Sequence, residues 1–225
     1  MAFDLSSRSR LTAKSAIHFT GDTLFDRIGR VVCAAEVLPR KELFESWEMA
    51  RRVRRHFRGG RIIDLAAGHG LLAQLLLLLD DNSPSAIAVD RRRTDSAMPL
   101  WGALAQAWPR LAGRSEYIEA RLDRPLPFPL APGDLVVSAH ACGVLTDHTL
   151  DLALGARARV AVLPCCQSIG RQDAGNLIGW MDAALAIDVM RAGRLRAAGY
   201  KVRTLAIPAS ITPKNRLLLG EPPAS

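Results

Sequence analysis

Four short stretches hold the residue types that can do chemistry. "SAHACGVLTD", residues 138–147, sets His140 and Cys142 two apart and follows them with Thr146 and Asp147. "AVLPCCQS" supplies the adjacent pair Cys165 and Cys166. "IIDLAAGHG" carries Asp64, Ala66, Gly68, His69 and Gly70, and "AIAVD" ends on Asp90 with Arg91 after it. An imidazole and three thiols admit three chemistries. They could ligate a tetrahedral metal ion. A thiolate, from Cys142 or Cys165, could add to an electrophilic ring. Or the sulfurs could form the soft wall of a pocket, with His140 accepting a proton. The zinc pattern H-x-E…P-C-x-x-C needs a Glu that is absent here, and adjacent Cys rarely bind one ion without strain, so no metal is assigned. The pocket reading is adopted. Asp147 opens the next helix, as a catalytic acid or as a cap.

The elements that must position these residues follow from hydrophobic periodicity. "RIIDLAA", "SAIAVD", "SEYIEA", "DLVVSAH", "ARVAVLPC", "KVRTLAIP" and "NRLLLGE" read as strands. Helical stretches separate the first six, except that the Pro-rich loop "DRPLPFPLAPGD" joins the third to the fourth; the helices include "TDSAMPLWGALAQAW", interrupted at Pro99, and a long one over "NLIGWMDAALAIDVMRAGRLRAAGY". Apolar strands alternating with helices predict a parallel α/β sheet covered on both faces. The last two strands have no helix between them, so they predict a terminal antiparallel hairpin on a Rossmann-like seven-stranded sheet. Before it, "GDTLFDRIGRVVCAAEVL" and "PRKELFESWEMARRVRRHF" form helices, giving an N-terminal helical section over 1–57 and an α/β domain over 58–225. The thiol stretches then follow the carboxyl ends of adjacent strands, where open α/β sheets bind ligands.

The glycine turn sits between the first strand and its helix. Gly68, Gly70 and Ala73 fit G-x-G-x-x-A, and Asp90 ends the second strand, placed to accept ribose hydroxyls. A nicotinamide dinucleotide and S-adenosylmethionine (SAM) both use such a turn. Asp64, four residues before Gly68, makes the pattern D-x-x-x-G-x-G, which resembles the first motif of class I SAM-dependent methyltransferases. An acid there faces the cationic methionine end of SAM and would repel a pyrophosphate. Glu119 and Arg121, at the end of the third strand, are candidates for the adenine edge, and Arg91 and His140 for the ribose or adenine. With "DLAAGHG", "AIAVD", "SAHACGVLTD", "PCC" and "ITPKNRLLLG" in order, the chain resembles the catalytic domain of eukaryotic tRNA acceptor-stem 2′-O-methyltransferases and their relatives. His140, Cys142, Gly143, Thr146, Asp147, Cys165 and Cys166 match that group's motifs; Ala139 and Ala141 depart from them. The resemblance implies SAM as cofactor and tRNA as a substrate class. The group's N-terminal zinc-binding segments have no counterpart here.

The charge balance bears on the partner. Lys and Arg number 30 against 22 Asp and Glu, and "RRVRRHFRGGR" concentrates Arg51, Arg54, Arg55 and Arg58. Clustered Arg favours RNA, and this stretch is expected beside the carboxyl ends of the strands, to hold phosphates. Asn215 and Arg216, before the last strand, are candidates to touch the acceptor, and Arg40 and Lys41 to meet the SAM carboxylate. The expectation is a cytoplasmic methyltransferase acting on RNA, with tRNA as one candidate class, at an O or N atom, with no membrane segment. The alternatives are a small-molecule methyltransferase closed by the N-terminal helices, an RNA cytosine-5 methyltransferase using Cys142 and Cys165, a SAM-binding protein without turnover, and an NAD(P)-dependent oxidoreductase.

Overall fold

Seven strands form one sheet in the order β3-β2-β1-β4-β5-β7-β6. A computed structural model describes residues 3–167 and 170–224. The strands are β1 (Ile62–Leu65), β2 (Ala86–Asp90), β3 (Ser115–Glu119), β4 (Leu135–Ser138), β5 (Arg159–Val162), β6 (Lys201–Ala206) and β7 (Arg216–Glu221). β1 to β5 pair in parallel, and β7 inserts antiparallel between β5 and β6. The chain order reverses between β1 and β4, so a crevice opens beyond their carboxyl ends. All four residues of β1 and of β4 are buried. That explains their unbroken apolar runs and makes Asp64, in the middle of β1, an exception that needs a reason.

The helices are α1 (Leu24–Ala35), α2 (Arg40–His56), α3 (Leu71–Leu78), α4 (Ala97–Ala107), α5 (Val144–Ala156) and α6 (Ala183–Ala197). Two cores result. One joins Ile28, Met49, Leu75 and Leu104 of α1 to α4 with alternate strand residues such as Ile62 and Val137. The other joins Leu150 of α5 and Leu195 of α6 with Ile63 and Val136. The N-terminal helices therefore bury their apolar stripes in the same core as α3 and α4. The segment before them is tied to the start of α2: Leu11 N–H donates to Leu38 O at 2.8 Å, and Lys41 N–H to Ser7 O at 3.0 Å.

Two elements differ from the sequence expectation. Pro99 does not interrupt its helix; it lies in the first turn of α4, where the missing N–H has no intrahelical acceptor to lose. The long helix is shorter than its periodicity, because α6 starts at Ala183, where the Asp182 carboxylate caps Leu185 N–H at 3.0 Å. Trp180 stands 87% exposed just before that cap. Among the described residues no helix is long and apolar enough to cross a membrane.

Candidate active site

The turn between β1 and α3 is pinned from three sides. Asp90 Oδ2 accepts from Gly68 N–H at 2.9 Å, Tyr117 Oη donates to Gly68 O at 2.8 Å, and Trp101 Nε1 donates to His69 O at 3.0 Å. Gly70 has φ of 68°, and a Cβ there would meet the Trp101 ring at 2.7 Å. Gly68, also left-handed at φ 55°, faces open space. One glycine is thus required by close packing, and the other leaves a surface bare for a ligand. Beneath the turn, Asp64 is buried, and one of its oxygens accepts from Ala73 N–H at 3.2 Å. Burial, with the Asp90 charge adding to it, pushes the Asp64 carboxyl up to about 8. Such an acid is neutral near pH 7 until a cation comes to it.

Three cavities follow one another along the carboxyl edge. The first, about 620 Å³, is lined by Ala66, Asp90, Arg91, Arg121 and Leu145. The second, about 20 Å³, is just large enough for a water and lies between Asp64, Ala66, His69, Glu42 and His140. The third, about 560 Å³, is lined by Glu42, Lys41, Glu45, His140, Cys165 and Lys214, with Arg8 at its wall. Ala66 is common to the first two, and Glu42 and His140 to the last two, so the series forms one trench narrowed beside His140.

Helix α2 supplies two acids to the narrows. His69 Nδ1 lies 3.1 Å from Glu42 Oε2, and His140 Nε2 lies 3.9 Å from Glu45 Oε2. Burial opposes ionisation of Glu42, but the His69 hydrogen bond and the nearby cationic groups hold its carboxyl below the ordinary value. Glu45 is also 3.3 Å from Lys41. Both His140 Nε2 and Glu45 Oε2 are buried without a hydrogen-bond partner among the described residues. Buried polar atoms of this kind are satisfied by a ligand or ordered water. Beyond it the three thiols converge: Cys142 Sγ is 3.0 Å from Cys165 Sγ and 3.6 Å from Cys166 Sγ. Burial and the neighbouring sulfurs raise the Cys165 thiol above its ordinary value, which disfavours a free thiolate nucleophile there.

Residues 42–170, more than half of the chain, match the family described as methyltransferase domain. The chain belongs to the class I SAM-dependent methyltransferases. Solved structures share the fold. An O-methyltransferase family protein from Burkholderia thailandensis is 18% identical, with a TM-score of 0.52, over 96% of this chain and 64% of that one. Mitomycin 7-O-methyltransferase is 16% identical, with a TM-score of 0.51, over 92% and 60%. Among curated proteins, a glutathione S-transferase C-terminal domain-containing protein of Xenopus laevis is 24% identical over 200 residues, 73% of this chain. The methyltransferase chain spans 30% of that relative's length and less than two thirds of these solved structures.

The methyltransferase's trench fits SAM in its charge and its space. Asp64 would take the methionine ammonium, the bare turn at Gly68 the backbone of the ligand, and Asp90 the ribose hydroxyls from the rim of the larger cavity. SAM supplies an electrophilic methyl group when bound. A dinucleotide fits poorly, since its pyrophosphate would sit over the buried acid.

Several residues expected at the site lie elsewhere or are committed to other partners. Glu119 is exposed, and its carboxylate accepts from Arg93 N–H at 3.0 Å; Arg121 lines the large cavity but pairs with Asp123 at 2.7 Å. Asp147 does not face the acceptor. It is held by Arg191 at 2.9 Å and by Gln172 at 2.7 Å, tying α5 to α6. Asn215 closes the β6–β7 hairpin through Ile207 O at 3.0 Å, and Arg216 is drawn to Asp188 on α6 at 2.8 Å, so Lys214 reaches the cavity in their place. Arg40 lies over the Phe3 ring, 3.8 Å from its centroid. Arg54 and Arg58 lie toward the amino ends of the strands, because α2 runs away from the trench; Arg55 is exposed, and Arg52, beside Arg51, donates to Ala206 O at the end of β6. Arg54 is buried against Asp80 at 3.2 Å, Arg58 donates to Leu79 O at 3.1 Å, and Arg51 pairs with Glu48 at 3.1 Å. Glu42, Glu45, Ser46 and Lys214 were not anticipated. The signal for two of them was there: Glu42 and Ser46 share a stripe with Met49 and Val53, so polar groups interrupt an apolar face.

Proposed function

We propose that the chain transfers the methyl group of SAM to an oxygen or nitrogen of a small acceptor held in the cavity between α2 and the ends of β4 and β5. The observation that carries this reading is the orphaned pair His140 Nε2 and Glu45 Oε2 at the narrows between the two large cavities. His140 takes the acceptor's proton, and Glu45 stabilises the imidazolium that results. Lys41, Lys214 and Arg8 give the cavity a cationic wall, which suits an acceptor bearing a carboxylate or phosphate. The N-terminal segment and α2 cover the cavity, as a small-molecule enzyme needs to exclude water. The solved structures named above are described as O-methyltransferases.

RNA, with tRNA as one class of it, is the second reading. What favours it is the exposed run Arg91, Arg92 and Arg93 beside the large cavity, not the Arg51–Arg58 stretch. The separating experiment incubates the protein and labelled SAM with RNA, protein and metabolite fractions. Label in the metabolite fraction supports the first reading. Label in RNA that falls steeply as salt rises supports the second, since phosphate contacts release counterions.

A further inference from the structure

We propose that Cys142, Cys165 and Cys166 form a zinc site whose fourth position opens toward the acceptor cavity. The three sulfurs come from two different strand ends and lie within 4.8 Å of one another. Zinc–sulfur bonds of about 2.3 Å at tetrahedral angles put sulfurs about 3.8 Å apart. The separations from Cys142, 3.0 Å and 3.6 Å, are within an ångström of that. The adjacency of Cys165 and Cys166 is therefore no obstacle, because the backbone already turns both thiols toward Cys142.

The two loops are built to stay in register. Gly143 N–H donates to Cys166 O at 3.1 Å, joining the strand ends directly. Gly143 O in turn accepts from Gln172 at 2.9 Å and from the buried Arg191 at 3.2 Å. Bonds of this kind outside the ligands fix ligand orientation in metal sites. Cys142 and Cys166 are exposed, so an ion has a route in. Three thiolates crowded together repel one another, and a divalent cation removes that cost. The resulting zinc tris-thiolate carries one net negative charge, complemented by Lys41 and Lys214 in the cavity that Cys165 and Cys166 line. Soft sulfur ligands select zinc over magnesium or calcium. A three-ligand site with one open position is the arrangement of zinc that binds a substrate atom, here an anionic oxygen or sulfur of the molecule in the cavity.

The test does not depend on turnover. Wild-type protein purified in reductant without chelator should contain about one zinc per chain. Chelator-stripped protein, shown folded by circular dichroism, should on adding cobalt(II) develop tetrahedral visible bands and thiolate-to-cobalt charge transfer, both displaced by zinc. Cys142→Ser, Cys165→Ser and Cys166→Ser should each weaken cobalt binding by about tenfold or more, since even outer partners of a metal cost that much. A folded apo protein that gives no charge-transfer band with cobalt overturns the proposal. So does a Cys142–Cys165 disulfide recovered by peptide mapping from protein kept in reductant, which would make the pair a redox couple.

Discussion

Binding of SAM should release a proton, and Asp64 sets the size of the effect. Its carboxyl is pushed from 3.8 to about 8 by burial, with Asp90 adding to the shift. At pH 7 the free protein therefore holds Asp64 about nine-tenths protonated. A ligand ammonium needs the carboxylate, so binding at pH 7 must first ionise the group, at about 1.4 kcal/mol per unit of separation. SAM affinity should rise about tenfold from pH 6 to pH 7, and less steeply toward 8. It should then turn over as the ligand's own ammonium, with an ordinary value of about 7.7–8.0, loses its proton. Titration calorimetry in two buffers of different ionisation enthalpy at pH 7 should show release of most of one proton. Asp64→Asn should abolish both the release and the slope, and weaken binding at pH 8 by about 10- to 100-fold, the worth of a charged hydrogen bond. The same group bears on the unliganded fold. A carboxyl raised in the folded state favours folding less as pH climbs, so stability should fall between about pH 4 and 8 and flatten above, and Asp64→Asn should remove that decline. A wild-type affinity flat from pH 6 to 8 with no proton release would refute the placement of Asp64 opposite the ammonium.

Three further outcomes follow from the geometry. His140→Ala should lower kcat by about 10²- to 10⁴-fold, with SAM affinity by calorimetry nearly unchanged, and Glu45→Gln should lower it less. Gly70→Ala should destabilise by about 1–3 kcal/mol in urea unfolding and weaken SAM, since its φ of 68° and the Trp101 ring at 2.7 Å both oppose a Cβ. Arg54→Met should cost about 3–5 kcal/mol by leaving Asp80 buried and unpaired, while RNA binding, where any is measured, should not change.

The fold was legible because each signal was local. "IIDLAAGHG" announced a buried strand, a glycine turn and a helix in sequence, and the missing helix between the last two strands gave the antiparallel end of the sheet. The meeting of Asp64, Gly68 and Asp90 around one turn, the candidate cofactor half of the site, was legible for the same reason, since one β-α-β unit holds all three. The acceptor half was not. It is assembled from α2, the ends of β4 and β5, and the β6–β7 hairpin, and which side chain of a hairpin turns inward depends on its partners. Asn215 was captured by Ile207 and Arg216 by Asp188, leaving Lys214 to the cavity. The Arg-rich stretch misled because local charge density does not report direction. Only the packing of α2 on α3 shows that its basic end points away from the trench and that Arg54 is spent on Asp80.

The most direct test of the central claim is a crystal structure of the protein with S-adenosylhomocysteine. The account predicts the amino-acid end beside Asp64, the ribose on Asp90, and the sulfur aimed through the narrows at His140 and Glu45. A ligand whose sulfur points away from His140, or whose ammonium lies apart from Asp64, would contradict it.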